Sequence, residues 1–113
     1  MKRYKYIRRI VDRLTSSDSN NEEFTLYNHL VGKQSGMGGF FAATIYSGND
    51  RYSGEVAAFS YDYWTHSLYI EDAESRQAAD AIIQAFKAIY PCCLKIIDDT
   101  QKEDIYDDVS RFQ

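Results

Sequence analysis

Apolar residues at Tyr4, Ile7, Val11 and Leu14 recur at spacings of three and four, with Tyr6 and Ile10 beside them and mostly basic residues between. That spacing marks one face of an amphipathic helix. The polar run Thr15 to Asn21 ends it, and Ser19 followed by Glu22 has the form of a capping box. A second helix is therefore predicted, with Phe24, Tyr27, Leu30 and Val31 on one side and Gly32 as its stop. From Phe40 the period changes to two. The runs FFAATIY (Phe40 to Tyr46), SGEVAAFSY (Ser53 to Tyr61) and YWTHSLYI (Tyr63 to Ile70) are rich in aromatic and β-branched residues, and Ser47 to Asp50 supplies turn residues between the first two. They predict a three-stranded antiparallel meander. Alternation in its third strand assigns Trp64, His66, Leu68 and Ile70 to the core and Tyr63, Thr65, Ser67 and Tyr69 to the other face.

Asp72 then caps a predicted helix from Asp72 to Tyr90, with Ala79, Ile82, Ile83, Phe86, Ile89 and Tyr90 on one face and Pro91 enforcing its end. CCLKII (Cys92 to Ile97) reads as a fourth strand, and Thr100 with Glu103 caps a last helix over 101–112 that turns Ile105, Val109 and Phe112 inward. The predicted class is α+β, in the order α-α-β-β-β-α-β-α. At 113 residues the chain makes one domain, with a helical part over 1–31, a glycine-rich loop over 32–39, and sheet and helices over 40–113.

The stretch SGMGGFF (Ser35 to Phe41) holds three of the six glycines. Phosphate-cradling glycine loops follow a strand and open a helix, whose first amides receive the anion. Here the predicted loop follows a helix and enters a strand, and the lysine of Gly32-Lys33-Gln34 lacks the Ser or Thr of a P-loop. The glycines read as a mechanical bend.

Charge divides the chain. Residues 1–14 carry six basic side chains against Asp12, a balance of +5, whereas the remainder sets seven basic residues against sixteen acids, a balance of −9. An acidic body repels nucleic acid, so groove binding is disfavoured, and it suits a protein partner with a basic surface. No apolar run approaches the length of a membrane span, and a cytoplasmic protein is expected. Cys92 and Cys93 are adjacent; in an extended chain they point apart, which predicts two reduced thiols with Cys92 packed inward.

Candidate chemistry is sparse. His29 and His66 have no second ligand at metal spacing, no serine sits in a nucleophile elbow, and no cofactor or catalytic constellation is expected. The excess is tyrosine, ten in the chain. Tyr46, Tyr61, Tyr63 and Tyr69 are predicted to share an open sheet face, and Asp98, Asp99, Glu103, Asp104, Asp107 and Asp108 to supply a negative patch beside it. These are the candidate partner-binding residues of a small, acidic, non-catalytic binding protein of inhibitor or immunity type, comparable to phage or mobile-element inhibitors of nuclease systems. An RNA-binding module stacking bases on the tyrosines is the alternative that the acidic body opposes. A homodimer is compatible with the pattern.

The order of elements from the predicted helices onward resembles the middle of the GNAT acyltransferase fold. Ser67 to Ala88, SLYIEDAESRQAADAIIQAFKA, is similar to that family's strand-loop-helix unit, and Asp104 to Phe112, DIYDDVSRF, to its last helix. The resemblance implies a coenzyme A site in which Arg76, Ala79 and Ala81 lie under the pyrophosphate, and acyl transfer as the activity. Arg76 and Ala81 match the family's motif; Ala79 stands where it has a glycine, and Asp80 brings a negative charge toward the phosphates.

Overall fold

In the computed structural model, which describes residues 3–16, 22–35 and 39–100, the first helix forms as its spacing predicts. This α1, Lys5–Ser16, buries Ile7, Ile10, Val11 and Leu14. The second predicted helix does not form. Glu23–Leu26 and His29–Ser35 are instead strands β1 and β2, paired antiparallel around a two-residue turn at Tyr27 and Asn28. Both turn residues have positive φ, 54° and 62°, as the hairpin turn that matches strand twist requires. The misreading has a physical reason. Phe24 pairs directly with Val31, so positions symmetric about the turn share a face, and a hairpin reproduces the spacing of seven that also fits two helical turns.

β3 (Phe40–Tyr46), β4 (Glu55–Asp62) and β5 (Ser67–Ala73) follow, then α2 (Arg76–Ile89) and β6 (Lys95–Asp98). The result is a six-stranded mixed sheet in chain order, antiparallel except that β6 lies parallel to β5 after the α2 crossover. It replaces the expected meander plus one strand, and the order among the described residues is α-β-β-β-β-β-α-β within a single α+β domain. The last helix predicted over 101–112 lies outside the described residues, as do Gly36, Met37 and Gly38. The glycine-rich loop joins β2 to β3, strand to strand, and Gly32 sits inside β2.

Two boundaries also move. α2 begins at Arg76 because Ser75, not Asp72, takes the cap, its Oγ accepting from the Ala78 amide at 3.1 Å while Asp72 stays in β5. β5 begins only at Ser67, because the Asp62 carboxylate accepts the Trp64 amide at 2.8 Å and folds Tyr63 to His66 into a turn. Trp64 is therefore 82% exposed and only Leu68 and Ile70 of the predicted core quartet are fully buried.

Both helices cover the same face of the sheet. α1 lies over the hairpin: Tyr6 stacks on His29 at 4.0 Å, Arg13 lies over Phe24 at 4.2 Å, and the buried Lys33 donates from Nζ to the Leu14 carbonyl at 3.1 Å. Burial, with the neighbouring Glu74, pushes the Tyr6 phenol up to about 12. α2 lies over β4 and β5, its fully buried Phe86 packing 5.7 Å from Phe59, 5.4 Å from Tyr61 and 6.4 Å from Phe41. The helices join where the Tyr4 hydroxyl donates to Glu74 at 2.6 Å beside the α2 cap. Among the described residues, no helix packs on the opposite face.

Candidate functional site

The uncovered face displays the alternate residues of each strand, and their small size makes it concave. Gly32 in β2 and Ala42 and Thr44 in β3 floor a groove of about 480 Å³, walled by Leu30, Gln34 and Tyr46 and closed at its ends by Glu23, Arg51 and Glu71. Gly32 lies opposite both Glu23 and Thr44, so a missing side chain at the centre of three strands creates the depth. The Arg51 guanidinium pairs with the Glu23 carboxylate across one end.

At the other end a β-bulge changes the charge pattern. Ala58 pairs with Asp72 and Phe59 with Ile70, leaving Glu71 as the extra residue of β5. Alternation would send Glu71 and Asp72 to opposite faces; the bulge presents both toward the uncovered one. Ser60 donates to Glu71 at 3.3 Å, and Glu55, opposite Tyr46, hydrogen-bonds Asp72. That bond raises the Glu55 carboxyl above its ordinary value, aided by desolvation and by the charges of Asp72 and Glu71. Among the described residues no Lys or Arg forms a salt bridge with Glu55, Glu71 or Asp72.

The four predicted tyrosines do not gather on this face. Tyr46 and Tyr69 lie there, half-buried. Tyr61 alternates with Phe59 and is 1% exposed beneath α2, stacked on Tyr90 at 5.0 Å. Tyr63 lies in the turn after β4, its ring 4.9 Å from Tyr61. Tyr61 is a core residue, and the expectation of a surface role for it is corrected. Burial, then Tyr63 and Asp62, raises its phenol; burial with Tyr63 and Tyr61 raises that of Tyr90 further.

The predicted acidic patch divides too. Asp98 receives Arg76 Nη2 at 2.5 Å and the Thr100 amide at 3.0 Å, so it holds β6 to α2. Desolvation acts against its charge, but the bonds from Thr100 and Arg76 outweigh this and lower its carboxyl. Asp99 is exposed, and Glu103, Asp104, Asp107 and Asp108 lie outside the described residues. Of the residues implied by the acyltransferase resemblance, Arg76 bridges Asp80 and Asp98, Ala79 is fully buried, and Ala81 is half-buried beside α1.

The cysteines differ from expectation. Cys93 adopts φ 69°, which breaks the alternation of an extended chain and brings the two Sγ atoms to 3.0 Å, with both residues exposed. The hydrogen bond to Cys92 raises the Cys93 thiol, and desolvation adds to it. Among the described residues no cluster of His, Cys, Asp and Glu could hold a metal ion, and no helix is long and apolar enough to cross a membrane.

Compared with known proteins, the chain matches no family model, no curated protein and no solved structure. Gly32, Glu55, Glu71 and Asp72 escaped the sequence reading because their grouping depends on strand register. The one local signal was the consecutive acids Glu71-Asp72 at the end of a strand pattern.

Proposed function

We propose that the protein is a non-catalytic binding domain that docks a partner with a basic surface onto the uncovered face of its sheet. The observation that supports this reading is the bulge in β5, which sets Glu71 and Asp72 beside Glu55 at the end of an open groove without a compensating cation among the described residues. Three carboxylates this close carry a repulsive energy that a partner's Lys or Arg relieves, so the corner steers encounter and rewards a cationic contact. Tyr46, Leu30 and Tyr69 add apolar area to hold the complex once formed. Asp99 and the acids of the C-terminal stretch, Glu103, Asp104, Asp107 and Asp108, contribute negative charge of the same sign.

Affinity capture from the native cell with wild-type protein and with Glu71→Lys/Asp72→Lys tests the reading. A partner held by wild type, released by rising salt and lost with the variant supports it. Equal capture by both forms would place the interface elsewhere. With the purified partner, the charge variant slows association, whereas Tyr46→Ala/Tyr69→Ala chiefly hastens dissociation.

A further inference from the structure

Two residues with positive φ, His66 at 55° and Cys93 at 69°, meet at one junction of the fold. The left-handed region is costly for a side chain with a Cβ, so each must be held there by its surroundings. The holding contacts are reciprocal. His66 Nε2 donates to the Cys92 carbonyl at 3.0 Å, and the Lys95 amide donates to the His66 carbonyl at 2.9 Å. The turn from Pro91 to Leu94 is thereby fastened, on both sides of Cys93, to the residue that precedes β5. Leu94 anchors it further by packing against the core.

This backbone has one chemical result. In an extended chain the two thiols would point to opposite sides, whereas the left-handed Cys93 turns its sulfur back to within 3.0 Å of the sulfur of Cys92. Both residues are exposed, and they are the only cysteines of the chain. A reachable thiol next to a second one that can displace its adduct is the arrangement on which redox-responsive cysteines depend.

We propose that Cys92 and Cys93 form a redox-active dithiol that a low-molecular-weight disulfide closes to a vicinal disulfide, and that closure is transmitted through His66 to the start of β5. The chemistry balances as two exchanges. One protein thiolate attacks a sulfur of the small disulfide, whose S–S bond breaks, and the first small thiol leaves with a proton. The neighbouring protein thiol then loses its proton and attacks the mixed disulfide, expelling the second small thiol. Two protein thiols have given up two electrons and two protons, and the small disulfide has become two thiols. Because Cys92 carries the carbonyl that accepts from His66, a change of torsion between the cysteines strains that bond first. The inference goes beyond the proposed function and does not depend on it.

The full chain, equilibrated with mixtures of oxidised and reduced glutathione, alkylated and weighed by mass spectrometry, tests the proposal. Wild type is expected to become a monomer lighter by two hydrogens that takes up no alkylating agent, and to regain both thiols in excess reduced glutathione. Cys92→Ser and Cys93→Ser, each at an exposed position, are expected to stop at a single glutathione adduct. A wild type that also stops at adducts, or that links into covalent dimers, would overturn ring closure. Amide correlation spectra of the reduced and oxidised protein are then expected to differ at His66 and Lys95 and to coincide at Gly32 and Thr44. A closed ring with unmoved His66 signals would overturn transmission to β5.

Discussion

The Tyr61 hydroxyl lies 2.6 Å from His66 Nδ1, and the other ring nitrogen of His66 lies 3.0 Å from the Cys92 carbonyl. A carbonyl only accepts, so Nε2 carries a proton and donates to it, and in the neutral imidazole Nδ1 accepts from Tyr61. One imidazole thereby ties β4 to the segment between α2 and β6. Replacing Tyr61 with Phe keeps the stack on Tyr90 but removes the donor, and is expected to cost about 1 to 2 kcal/mol in denaturant unfolding. Adding His66→Ala to that variant should cost less than it does in wild type, because the two residues share one bond. Full additivity would mean that the bond contributes nothing to stability.

Gly39 tests the mechanical role of the loop. Its φ is +84°, its carbonyl accepts the Tyr63 amide at 2.5 Å, and a Cβ there would lie 2.6 Å from Trp64 Nε1. Because Trp64 is largely exposed it can move aside, so the backbone penalty dominates. Gly39→Ala is expected to lose about 1 to 2 kcal/mol of stability. It should also change the emission of the chain's single tryptophan. An unchanged spectrum and an unchanged midpoint would together show that this turn is not restrained as described.

The Arg76 to Asp98 pair has a defined pH signature. The folded-state value of Asp98 is depressed, so its stabilising contribution is complete above the unfolded value of about 3.9 and is lost as pH falls through the lower folded value. Asp98→Asn is expected to be less stable than wild type by about 1 kcal/mol near neutrality, with Arg76 partly exposed and its contribution discounted accordingly. The gap should close as both proteins are acidified below about pH 4. A gap constant across that range would show that the charge on Asp98 is not what matters.

Gly32 separates function from stability. Its φ is not positive, and an added Cβ would meet only the Glu23 side chain at 3.8 Å, an ordinary contact. Gly32→Val is therefore expected to stabilise the sheet by about 0.5 to 1 kcal/mol through strand propensity and lost unfolded-state freedom, while filling the groove floor. Weaker partner binding by this more stable protein would tie the groove to function. Unimpaired binding would leave the acidic corner and not the groove as the contact.

Local physics alone was enough to read the two described helices, because Ile7, Val11 and Leu14, and Ile82 with Phe86, are related by a helical period that needs no distant residue. The alternation of Phe41, Ala43 and Ile45 marked β3 in the same way. The hairpin from Phe24 to Val31 was not legible, because strand pairing across a turn and a helical repeat both place Phe24 and Val31 on one face; the positive φ of Tyr27 and Asn28 decides between them, and Leu30 then falls on the opposite face. Tertiary structure alone decided which sheet face is covered. That choice buried Tyr61, left Tyr46 and Tyr69 on the uncovered side, and gathered Gly32 with Thr44 and Glu55 with Asp72 across strands distant in sequence. Register and bulges are set by the sum of many cross-strand contacts, and no single local stretch of this chain encodes them.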